Sequence, residues 1–257
     1  MAKLTFLGTC SGTEPFENMH HTSFIIEENE NVYWFDAGEN CSRTAFLRGV
    51  DMLSVAAVFI SHPHIDHIGG LFNILFNIQK MRYVAKRDQK SGETKFFLPA
   101  KTLWEKVRAV AEVGVPRFFE SVKTSSSVIC DGVIFENGDI KVSALHNEHM
   151  GVPEDGEWKS YSFLIEVAGK RVVYSGDIGH LDELDSLIGD GCDVLICESG
   201  HHKIADILAY AGDKGVKRLY FNHHGREIIY NREAMQALAE EYPYRATIAH
   251  DGLQIEI

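Results

Sequence analysis

The stretch FISHPHIDHIGG, Phe59–Gly70, constrains this chain more than any other. His62, His64, Asp66 and His67 fall on one short segment directly after the apolar run VAAVFIS, Val55–Ser61. A loop at the end of a strand can turn several side chains onto one point. A regular strand or helix spreads them over its faces instead. Imidazole and carboxylate together suit zinc, manganese or iron. A lone histidine there would read as a solvated turn, but three histidines and an aspartate at H-x-H-x-D-H spacing read as a metal site. Four ligands exceed what one zinc needs if a coordination position is to stay open. The spacing therefore fits two ions, with His62 and His64 on one and Asp66 and His67 on the other. Both ions need further ligands from later in the chain. Polar points suited to this stand at three strand ends: SALHNEHM (Ser143–Met150), VVYSGD ending at Asp177, and LYFNHHG (Leu219–Gly225).

Strands and helices alternate along the 257 residues. Strands are expected at Lys3–Thr9, Thr22–Glu28, Asn31–Gly38, Val55–Ser61 and Lys95–Ala100. Later ones are expected at Asp139–His146, Tyr161–Val167, Lys170–Asp177, Cys192–Ser199, Lys217–His224, Tyr244–His250 and Leu253–Ile257. Helical spacing marks Cys41–Gly49, His67–Lys80, Lys101–Gly114 and Asn231–Glu241, with shorter helices near Leu181–Ile188 and from about Lys203. Strand runs and βα units in both halves imply α/β architecture with packed sheets and outer helices. No polar linker divides the chain, so a single domain over residues 1–257 is expected.

Composition removes some functions. The net charge of −12 repels nucleic acid and anionic membrane, although bound cations reverse the sign locally. Five cysteines at irregular spacing, with no CxxC, support neither a disulfide framework nor a thiolate zinc site. No run is apolar enough to span a bilayer, and the N-terminus reads as a strand, so a cytoplasmic protein is expected.

The order of the motifs resembles the metallo-β-lactamase superfamily over nearly the whole chain. WFDAG holds Asp36, HPHIDH is the second motif, and HNEH, SGD and FNHHG follow in order. The resemblance implies a four-layer αβ/βα sandwich with a two-metal site at one edge of the paired sheets. It implies that His62, His64 and a histidine of HNEH bind one ion. Asp66, His67 and His223 bind the second, Asp177 bridges both, and Asp36 supports a ligand from behind. Relatives usually place the third ligand of the first ion a few residues past the strand, which favours His149. His146 shares the apolar face of Ile140, Val142 and Ala144 and is then a supporting or pocket residue. The ions are expected to be divalent, zinc first, with manganese or iron as alternatives. The implied reaction is attack by a bridging hydroxide, with Asp66 orienting it while ligating.

LTFLGTCSGTEP (Leu4–Pro15) resembles the phosphodiesterase-like branch that includes the tRNA 3′-processing endonuclease. LICES resembles that nuclease's histidine–glutamate block, but Cys197 stands where its histidine would be. No long arm for gripping tRNA is present. These departures and the acidic charge argue against tRNA and leave a smaller anionic phosphodiester as the expected substrate. His20 and His21 are candidate substrate contacts, with His201, His202 and His250 behind them. Hydrolysis of a lactone, carboxylic ester or thioester on the same metals is the alternative. A non-catalytic metal-binding regulator is the alternative of another class. A homodimer is a possible assembly.

Overall fold

The computed structural model describes residues 1–115, 117–153 and 156–257. Six strands build most of the first sheet: β1 (Lys3–Gly8), β2 (Ser23–Glu28), β3 (Asn31–Phe35), β4 (Val55–Phe59), β5 (Thr94–Leu98) and β6 (Thr124–Val128). The second sheet holds β7 (Gly132–Glu136), β8 (Ile140–His146), β9 (Tyr161–Val167), β10 (Lys170–Tyr174), β11 (Val194–Ser199), β12 (Arg218–His224) and β13 (Arg245–Ile248). The last strand, β14 (Gln254–Glu256), returns to the first sheet and pairs antiparallel with β1. Strand order is β14-β1-β2-β3-β4-β5-β6 in one sheet and β13-β12-β11-β10-β9-β8-β7 in the other.

Alternation divides each sheet's side chains between two apolar layers. Phe6, Phe24, Phe35 and Phe59 of the first sheet meet Val142, Phe163, Tyr174 and Ile196 of the second. Four of the inner rings form a ladder across adjacent strands. Phe24, Phe35, Phe59 and Phe97 stack with centroids 4.9, 4.9 and 5.0 Å apart. The outer face of the first sheet, with Ile25, Trp34 and Val58, is covered by α1 (Cys41–Leu47), α3 (Leu71–Ala85) and α4 (Lys101–Gly114). The short α2 (Ile65–Ile68) and α5 (Phe118–Ser121) flank these. The outer face of the second sheet, with Val173, Leu195 and Phe221, is covered by α6 (Asp185–Ile188), α7 (Ile204–Asp213) and α8 (Arg226–Glu240). The result is the four-layer αβ/βα sandwich. Among the described residues no helix is long and apolar enough to cross a membrane.

Two local features differ from the sequence reading. The helix expected from His67 is broken into α2 and α3, because Gly70 packs against the backbone after β3. Its amide donates to Ala37 O at 2.7 Å, and a Cβ there would lie 2.3 Å from Gly38 O. Strands β6 and β7 occupy a region the sequence leaves irregular.

The site follows from the strand directions. β3 and β4 run parallel, as do β10, β11 and β12. Their C-terminal ends lead into Asp36, Ser61–His67, Asp177, Glu198 and His223 at one edge of the sandwich.

Candidate metal centre

His62 and His67 are fully buried, Asp177 nearly so, and His64 is exposed. Around one point, His62 Nε2 lies 3.0 Å from His64 Nδ1, and His149 Nε2 lies 3.2 Å from the same atom. Asp177 Oδ2 is 3.7 Å from His62 Nε2 and 3.6 Å from His149 Nε2. Around a second point, Asp66 Oδ2 is 3.1 Å from His223 Nε2 and 3.4 Å from His67 Nε2. Asp177 joins this group too, with Oδ1 3.5 Å from His67 Nε2 and Oδ2 3.3 Å from His223 Nε2. Each group's donor atoms lie close enough to hold one ion, as do those of a third set, Asp177, His201 and His223.

These residues fit a metal. His67 Nε2, Asp177 Oδ1 and His223 Nδ1 are buried without a hydrogen-bond partner. Leaving such an atom unsatisfied costs about 1–3 kcal/mol, and a cation satisfies the first two. Metal–ligand bonds of about 2.0–2.1 Å in a tetrahedron put donors roughly 3.3–3.4 Å apart. The observed separations bracket that edge.

Backbone and buried polar groups hold the donors in place. Asp36 has φ +52°, and its buried carboxylate accepts from Ser61 N at 2.7 Å, Ser61 Oγ at 2.7 Å and Tyr174 OH at 2.5 Å. It also accepts from His67 Nδ1 at 2.8 Å, which fixes the tautomer and leaves the Nε2 lone pair facing the centre. His223 has φ +51° and is the extra residue of a bulge in β12, where Glu198 and Ser199 pair with Asn222 and His224. The bulge breaks the alternation and turns this one imidazole to the edge. Gly12 lies against Asp66: a Cβ at Gly12 would be 2.9 Å from its Cγ and Oδ2.

Electrostatics follow the same geometry. Burial, with the His67 charge beside it, holds the His62 imidazole well below its ordinary pKa. Burial also opposes charge on His67, but the Asp177 and Asp36 carboxylates outweigh it and raise that group well above 6.5. Burial works against an ionised Asp66, yet hydrogen bonds from His223 and His67 keep it far below the usual carboxylate range.

The histidines of HNEH part company. His149 joins His62, His64 and Asp177. His146 donates its backbone N–H to Asp131 Oδ1 at 2.8 Å, its Nδ1 is 2.7 Å from Asp131 Oδ2, and its ring stacks on Trp158 at 4.0 Å. His20 and His21 are not among the residues lining the cavity at the centre. His20 N donates to Asp251 Oδ2 at 2.7 Å, and His21 Nε2 is 3.4 Å from Thr13 O. The cavity, about 720 Å³, is instead walled by Ser11, Gly12, Thr13, His201 and Arg226 beside the donors. Sequence reasoning misses Ser61 and Tyr174, which carry no motif of their own. It also gives His201 no partner, although the buried Glu198 accepts from its backbone N–H at 2.9 Å and lies 3.1 Å from its Nδ1. The hydrogen bond to Glu198 raises the His201 pKa.

The fold and these donor sets define a metal-dependent hydrolase of the metallo-β-lactamase superfamily. The family model described as anti-Pycsar protein Apyc1 matches residues 2–228, and the chain belongs to that family. Ribonuclease Z of Methanothermobacter thermautotrophicus is 39% identical over 71 residues, 28% of this chain and 23% of that enzyme. Ribonuclease Z of Halobacterium salinarum is 25% identical over 303 aligned positions, covering 99% of this chain and 97% of that one. Among solved structures, the metallo-β-lactamase fold protein YhfI from Bacillus subtilis superposes with a TM-score of 0.75 at 17% identity, covering 100% of both chains. The short form of human tRNase Z gives 0.74 at 17% identity, covering 99% of both. These two likenesses carry the fold.

Proposed function

We propose that this protein hydrolyses a phosphodiester in a small anionic substrate at a two-metal site. The observation that carries the reading is the sharing of Asp177. One carboxylate stands between His62, His64 and His149 on one side and Asp66, His67 and His223 on the other. Two divalent ions, zinc first, would be held by these two sets, and when bound they supply an acidified water and polarise a substrate oxygen. Asp66 presents one oxygen to His223 and His67, and the missing side chain of Gly12 leaves room for it there, so its carboxylate is placed to orient the nucleophile. Asp36 holds His67 in the tautomer that ligates. His201, steadied by Glu198 and half-exposed at the cavity wall, is positioned to give a proton to the leaving oxygen. The relatives named ribonuclease Z support phosphodiester chemistry. The test is a substrate panel of a chromogenic phosphodiester, a cyclic nucleotide, a lactone and a thioester. Phosphodiester turnover that Asp66→Ala abolishes, with its melting curve intact, is the expected result. Turnover of the lactone or thioester alone refutes the reading.

A further inference from the structure

The walls of the cavity are unequal in charge. Asp66, Asp177 and Glu227 line it, and Arg226 is the single lysine or arginine among the described lining residues. Arg226 opens α8, three residues after His223. Its guanidinium is largely exposed and donates to Glu14 Oε2 at 2.6 Å. Glu14 lies on the loop that follows β1, two residues after Gly12. The same loop touches α8 one turn further on, where Phe16 meets Tyr230 edge-on at 6.0 Å. Just beyond, α8 is interrupted at Asn231, whose φ of −132° and ψ of 32° are not helical. The loop and the first turn of α8 therefore form one wall of the cavity.

An exposed ion pair contributes little to stability, so holding the fold together is a poor account of this contact. A carboxylate on a guanidinium is, however, a close mimic of a phosphoryl group on the same donors. We propose that Arg226 is the substrate-anion contact of this cavity and that Glu14 is its internal competitor. On binding, the guanidinium N–H donors pass from the Glu14 carboxylate to the non-bridging oxygens of the phosphodiester, with no covalent bond made or broken. The inference rests on the phosphodiesterase reading and adds to it the wall against which the anion is held.

The test uses the metal-loaded full chain, with inorganic phosphate titrated by calorimetry and KM measured for bis(p-nitrophenyl) phosphate. Arg226→Gln is expected to weaken phosphate binding roughly 10-fold, with the loss in turnover falling on KM rather than kcat. Arg226→Lys retains part of the affinity. Glu14→Gln keeps the side chain's shape but removes the competing charge, and is expected to tighten phosphate binding roughly 3-fold or more. Glu14 Oε2 also accepts from Thr13 Oγ1, so the double variant is the control: the tightening seen in Glu14→Gln should vanish when Arg226 is also Gln, because competition needs the guanidinium. Equal phosphate affinity in Arg226→Gln and the parent overturns the proposal. So does weaker binding in Glu14→Gln, which marks the pair as a structural latch. The phosphate order without any phosphodiester turnover would refute the proposed function while leaving Arg226 as the anion contact.

Discussion

His67 illustrates how the site governs a single side chain. Its Nδ1 is committed to Asp36, and its Nε2 has no hydrogen-bond partner although it is buried. Asp36→Ala should leave the imidazole free to turn and should reduce metal affinity or activity about 10–100-fold, read by metal retention on dialysis. The two histidines of HNEH separate on the same kind of evidence. His149→Ala is expected to lose one metal ion per chain, whereas His146→Ala keeps both and loses only the Asp131 and Trp158 contacts; metal analysis of the two side by side decides it. The convergence of the HPHIDH side chains was legible because their types and spacing have few other uses. His149 needed the strand end as a ruler. Asp36's partners Ser61 and Tyr174 were not legible, because a serine or tyrosine that supports a ligand looks like any other until the strands bring them together. The expected roles of His20 and His21 came from local clustering, whereas the backbone sends the neighbouring Ser11–Thr13 to the cavity wall instead.

Elements place these groups by small departures from regularity. The bulge that turns His223 toward the other donors is invisible in FNHHG, because alternation alone would put His223 on the helix-covered face with Phe221. Gly12 is the comparable device on the other side. Gly12→Ala brings a methyl group against Asp66, and at least a 10-fold loss of second-metal affinity is expected, measured by metal titration with the melting temperature as control. The core elements were readable because their apolar residues alternate, and Phe59 shows the energetic reason. It stacks on Phe35 and Phe97 and meets Phe135 and Phe163. Phe59→Ala should cost roughly 3–5 kcal/mol in denaturant unfolding. Strands β6 and β7 escaped because β6 is the exposed TSSSV at a sheet edge. Serine has little intrinsic strand preference, and an edge strand has only one neighbour to impose a pattern.

Across the whole molecule, two apolar outer layers and one aromatic-rich inner layer fix the sheets, and the strand ends bring the histidines and aspartates of the candidate metal centre to one edge. The net charge of −12 takes on a different meaning there. Asp66 and Asp177 contribute to it, yet they stand among imidazoles where two cations would reverse the local sign. The architecture was legible through the order of five motifs rather than through any one of them. The charge asymmetry of the cavity was not, since Glu14 and Arg226 are far apart in the chain. The most direct measurement is turnover of a chromogenic phosphodiester by metal-free protein titrated with Zn²⁺ or Mn²⁺, with bound metal counted at each step. Activity is expected to rise until two ions are bound per chain, and Asp66→Ala to stay inactive when loaded. Saturation at one ion or fewer, or two bound ions with no phosphodiester turnover, would contradict a two-metal phosphodiesterase.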